Sequence, residues 1–120
     1  MQKVNMAEKL ELIDEHWSPK LVGNIDDYDI KLAKVQGEFV WHKHDRDDEL
    51  FLVVRGHLAI DFRDRTVELD EGEFIVVPKG VDHRPHADRE CEVLLLERTG
   101  VVNTGDAAES ELTHRTLDRI

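Results

Sequence analysis

Little in this 120-residue chain points outside a reducing aqueous compartment. One cysteine, Cys91, cannot form an internal disulfide, which fits a reducing cytoplasmic setting. It precedes an apolar run, so it reads as a small buried hydrophobe rather than a reactive thiol. No apolar stretch reaches the roughly 18 residues that a membrane-spanning helix needs, and no charged-then-apolar leader opens the chain. Basic residues are scarce, 16 against 27 acidic, for a net charge of −11. That balance argues against nucleic acid and against anionic membranes, because both are bound by neutralising phosphates with Lys and Arg. A small anionic ligand stays open, since a pocket metal or a local Arg dominates at short range. Internal repeats and low-complexity tracts are absent, and the length suits one domain with one core.

What is present reads as short strands and tight turns. Residues 21–25, 28–35, 38–44, 49–55, 58–62, 66–69, 73–77 and 92–98 are strand candidates. Asp26-Asp27, Arg55-Gly56-His57, Arg63-Asp64, Asp70-Glu71-Gly72 and Lys79-Gly80 separate them. Eight short strands at this spacing predict an all-β sandwich or barrel covering 20–100. An arm, 1–19, precedes it. Within the arm, residues 5–13 suit a short helix with Asn5 as N-cap and Glu8 three residues on, and an alternating strand competes. Trp17 is expected to anchor this arm, with stacking on a ligand as the lesser reading. The polar tail, 101–120, reads as an extended, partly mobile end. For Asn103-Thr104-Gly105 a plain surface turn is preferred over a position across the barrel mouth.

The chemistry concentrates between Gly37 and His86. On a strand, His42 and His44 project to the same side, and after the polar run Asp45 to Asp48, read as a solvated turn, Glu49 opens the next strand. With His83 these residues form an N/O donor set suited to one divalent transition metal: Fe, Mn, Ni, Co, Cu or Zn. If Glu49 points inward, Phe51 and Val53 share its face and Phe51 lines the pocket. Leu50, Leu52 and Val54 then form a second apolar face, which needs cover from another sheet or another subunit. His86 is a candidate general acid or base, although a rim or surface position is the preferred reading because Pro85 disturbs strand geometry. Arg84 and Lys34 are further candidates for anion contact. His16, His57 and His114 are read as ordinary surface or hydrogen-bonded histidines.

Gly37, His42, His44, Glu49 and Gly56 resemble the first cupin motif, and Gly72, Pro78, Gly80 and His83 resemble the second, with its spacing kept. Gly37 stands one residue closer to His42 than the usual pattern, and Ala87 replaces the asparagine that often closes the second motif. The resemblance implies a single-domain cupin of the jelly-roll type with a short N-terminal arm and a polar C-terminal tail. It implies His42, His44, Glu49 and His83 as ligands of one metal ion per chain. It also implies a homodimer, and it is similar to the short bacterial cupins described as mannose-6-phosphate-isomerase-like. Expected functions are a small metal-dependent enzyme of isomerase, decarboxylase or dioxygenase type acting on a small organic molecule, or a non-catalytic metabolite-binding or sensing protein. A cupin that has lost its metal is a third reading, disfavoured because all four ligand types are present.

Overall fold

The computed structural model describes all of residues 1–120. A short helix, α1 (Met6–Glu11), precedes seven strands: β1 (Lys20–Ile25), β2 (Tyr28–Glu38), β3 (Glu49–Arg55), β4 (His57–Phe62), β5 (Thr66–Asp70), β6 (Phe74–Val77) and β7 (His83–Arg98). The order is β1-β2-β7-β3-β6, with β4 pairing both β5 and β7, and every pairing between these strands is antiparallel. One edge of β7 pairs along β2. Its other edge is shared, β4 taking residues 83–86 and β3 residues 92–97. The sheet therefore splits into two leaves that close over each other, the jelly-roll arrangement.

Alternation explains where the core sits. Inward positions of β3 are Glu49, Phe51 and Val53, and those of β7 continue through Cys91, Val93, Leu95 and Glu97. With Ala33, Val35, Leu58, Ile60, Leu69, Val77 and Ala87, the apolar members of these rows form one buried cluster. A second cluster lies on the outer face, where Leu10 and Ile13 from the arm cover Val22 and Leu32 beside Val54, Leu94 and Ile120. The second apolar face of β3 is thus covered at one end by the chain's own termini. Phe74 and Val76 at its far edge stay exposed.

Helix α1 forms as its cap predicts, with Glu8 N donating to Asn5 Oδ1 at 3.1 Å. Three expectations need correction. Residues 38–44 are not a strand: β2 runs on to Glu38, and beyond it only His42 bridges to His83. Phe39 N donates to Pro85 O at 2.9 Å, but Pro85 has no N–H to return, so a regular ladder cannot form there. Strand β7 begins at His83, not at residue 92, because the chain stays extended through the exposed polar run 88–90, with β4 pairing residues 83–86. The tail is packed rather than extended: Thr104 is buried, and Leu21 exchanges backbone hydrogen bonds with Asp118 O and Ile120 N.

Candidate metal centre

The two motifs meet through backbone. His42 and His83 exchange N–H···O bonds of 3.0 and 2.9 Å, and Gly80 N donates to His44 O at 2.9 Å. Glu49 enters from the first position of β3, inward by parity. Although 38–44 is not a strand, His42 and His44 still converge, their ring centroids 5.1 Å apart, because these bonds hold the loop against β7. The charged run is also fastened. Lys79 N donates to Asp48 Oδ1 at 2.9 Å and Arg98 Nε to Asp47 Oδ1 at 3.0 Å, so its latter half is a clamp rather than a free solvated turn.

Ligand atoms of His42, His44, Glu49 and His83 lie within 4.8 Å of one another, and all four residues are buried. Glu49 Oε1 is 3.5 Å from His44 Nε2 and 3.4 Å from His83 Nε2. His42 Nδ1 and His83 Nδ1 each donate to a backbone carbonyl, Val40 O and Val81 O, at 2.9 Å. The Nε2 of each ring is thereby left with its lone pair, the tautomer a metal needs. His44 Nε2, His83 Nε2 and Glu49 Oε1 are buried without any hydrogen-bond partner. Buried polar atoms are rarely left so, and three of them converging on one point fit a cation. Burial, with His83 close by, lowers His42 to about 4, so it is neutral at physiological pH. Burial would raise Glu49, but the His44 and His83 imidazoles within 3.5 Å of its Oε1 outweigh it and hold the carboxyl well below its ordinary range. These donors fit a first-row divalent ion.

An apolar cavity of about 40 Å³ reaches His42 and Glu49. Phe51 lines it, its ring centroid 6.0 Å from that of His83. Trp17 also lines it, stacked on Phe39 at 4.8 Å and anchored by an Nε1–H bond to Gln36 O at 2.8 Å, so it serves the arm and the cavity together. Asn103 reaches the lining as well, because the tail lies over the His42–His44 loop: Lys43 N donates to Asp106 Oδ1 and Asp106 N to Lys43 O. His86 is not brought to the cluster. Its Nε2 meets Asp61 Oδ1 at 3.0 Å on the other face of β7, where Arg84 also binds Asp61. Lys34 projects to the outer face beside Glu90. Cys91 is fully buried, and burial raises its thiol to about 11, which leaves it unreactive.

Two functional candidates escaped the sequence reading. Glu97 and Lys31 are buried at inward positions, and Glu97 lines the cavity beside Glu49. The odd-numbered phase that places Val93 and Leu95 inward was the signal that could have found Glu97, and the phase of Ala33 and Val35 that for Lys31.

The Cupin domain family model matches residues 30–97. A cupin-2 domain protein of Shewanella frigidimarina is 46% identical, with a TM-score of 0.78 over 79% of this chain and 93% of that one. A Neisseria meningitidis protein is 34% identical, with a TM-score of 0.75 over 82% of this chain and all of that one. The uncharacterized protein YdbB of Bacillus subtilis is 41% identical over 64 residues, 52% of this chain and 57% of YdbB, so the match spans little more than half of that relative. Motifs, topology, converging ligand atoms and these likenesses agree, and the chain belongs to the cupin family.

Proposed function

We propose that this protein is a small metal-dependent enzyme that holds one divalent transition metal on His42, His44, Glu49 and His83 and acts on a small organic molecule. The observation that carries the reading is the convergence of four buried donor residues, three of whose ligand atoms have no other partner. Bound there, the ion supplies Lewis acidity for isomerisation or decarboxylation, or oxygen chemistry if it is iron. The chain's own residues orient two imidazoles through Val40 O and Val81 O and exclude water with Phe51, Val93 and Leu95. No Lys or Arg is in the cavity lining, which disfavours a sugar phosphate and with it the mannose-6-phosphate-isomerase-like subtype. A cavity of about 40 Å³ favours a ligand of few atoms with an apolar portion.

The test loads metal-free protein with Fe(II), Mn(II) or Zn(II) in turn and follows oxygen uptake, isomerisation and decarboxylation on small phenols, thiols and diketones. Turnover with one ion, abolished by Glu49→Ala, is the expected result. The alternative is a metal-dependent metabolite-binding or sensing protein, favoured by a lining whose only titratable groups are two of the metal ligands and Glu97. Ligand-induced stabilisation without turnover on any substrate would select it.

A homodimer and a cytoplasmic location belong to the same reading. The outer face carries two apolar rows set by register, Ile30-Leu96-Leu50-Val76 and Leu32-Leu94-Leu52-Phe74. Phe74 is 62% and Val76 45% exposed at the open end of these rows, a place for a second copy. Light scattering at micromolar concentration is expected to return twice the 13.9 kDa chain mass, and Phe74→Lys with Val76→Lys to return the monomer.

A further inference from the structure

The inner wall carries one charged pair that the metal ligands do not use. Glu97 stands across from Glu49 in the β3–β7 register, so their side chains lie side by side on the inner face. Lys31, on β2, places Nζ 2.8 Å from Glu97 Oε1, with only 1% and 2% of the two side chains exposed. Glu97 Oε2 has no hydrogen-bond partner. The register also sets Asp29 opposite Glu97, but Asp29 Oδ1 is already engaged by Asn24 Nδ2 and Thr99 Oγ1.

Taking an ammonium and a carboxylate out of water is expensive, and their attraction repays it only where the remaining polar atoms are also satisfied. Here one oxygen is not. Apolar side chains of similar volume often serve stability as well or better, and the neighbouring inward positions, Ala33, Val35, Val93 and Leu95, are apolar. Stability alone therefore does not account for the pair. What distinguishes its position is Glu49, the one carboxylate among the four converging donors.

Building on the metal-site reading, we propose that Lys31 and Glu97 are a positioning pair for Glu49: Lys31 fixes the Glu97 carboxylate, and Glu97 restricts the rotamers open to Glu49 and so sets how tightly and in what geometry the site holds a divalent ion. Partners behind metal ligands act in this way, and their loss typically weakens metal binding 10- to 100-fold.

The test uses the full chain, freed of metal, titrated with Co(II) and followed by visible absorption, beside thermal unfolding of the metal-free protein. The double variant Lys31→Met/Glu97→Leu is expected to melt at or above the wild-type temperature yet to bind Co(II) about 10- to 100-fold more weakly, with an altered spectrum. Glu97→Gln keeps an oxygen for Lys31 and is expected to restore most of the affinity. Should the double variant fail to fold, Glu97→Asp keeps the charge but withdraws it by one methylene, and carries the same expectation of weaker binding and a changed spectrum. Wild-type affinity and an unchanged spectrum in the folded variant would overturn the positioning role and leave the metal site standing. Failure of the wild-type chain itself to take up Co(II) would overturn both.

Discussion

Protein purified without a chelator is expected to carry a divalent ion at up to one per chain, and His83→Ala to lose it, as elemental analysis of the two would show. His83 is 1% exposed, its Nδ1 is committed to Val81 O, and its Nε2 has no partner but the shared ligand space. The backbone bonds between residues 42 and 83 do not involve the side chain, so the loop remains in place while one of four donors disappears. Affinity is expected to fall by more than about 100-fold, beyond the usual effect of removing a residue that only supports a ligand. The fold should survive, since the jelly roll has an apolar core of its own and differs in this from domains that fold only around their metal. Circular dichroism of chelated protein checks this. A retained full complement of metal in His83→Ala would remove the site from these residues.

Acidity probes the same site in the metal-free protein. His42 sits near 4 in the fold, against about 6.5 in an unfolded chain. Between those values the unfolded chain binds the proton and the native one does not, so stability rises with pH across the window. The His42 contribution is complete above about pH 6.5 and is lost progressively toward pH 4, on the order of 3 kcal/mol. His42→Asn should flatten this part of the pH dependence, measured as melting temperature between pH 4 and 7.

Gly105→Ala is expected to cost roughly 2–4 kcal/mol and to weaken metal binding with it. Gly105 has φ of +54°, a region that residues with a Cβ rarely adopt, and an added methyl would overlap Lys43 O while lying 3.2 Å from His42 Cδ2. Lys43 is the residue between the two motif histidines, so relief of the overlap must move the loop that presents them. Gly72→Ala is the control. Its φ is +80° but nothing lies within 4 Å of a Cβ there, so it should cost only the backbone term, about 1 kcal/mol, and leave metal affinity unchanged. Denaturant unfolding and Co(II) titration of both variants separate strain from displacement. Equal behaviour of the two would show that the tail does not hold the loop.

Much of the site was legible because its signals are local. HxH, a glutamate opening an apolar alternation, and G-x5-P-x-G-x2-H place residue types at short separations, and the turns between strands carry their own Gly and Asp chemistry. Strand β3 has the bounds its alternation implies, and α1 starts where Asn5 caps it. The misreadings lie where a local signal depended on a distant partner. Residues 38–44 alternate like a strand, but the segment opposite them begins with a proline-interrupted stretch that cannot return the ladder. The strand reading of β7 started only at residue 92, yet β4 and β2 hold the chain extended from His83 onward.

The sequence by itself determined the class of the fold and the inward face of β3, which follow from spacing and a period of two, and it named His42, His44, Glu49 and His83 as one donor set through the two motifs they belong to. Only the tertiary structure decided that Glu97 lies against Glu49 with Lys31 behind it, that Gly105 closes on Lys43, and that His86 turns to Asp61 rather than to the metal cluster. These depend on which strand pairs with which and in what register. Register is settled by the burial of whole faces at once, a property of the assembled sheet that no short stretch of the chain contains.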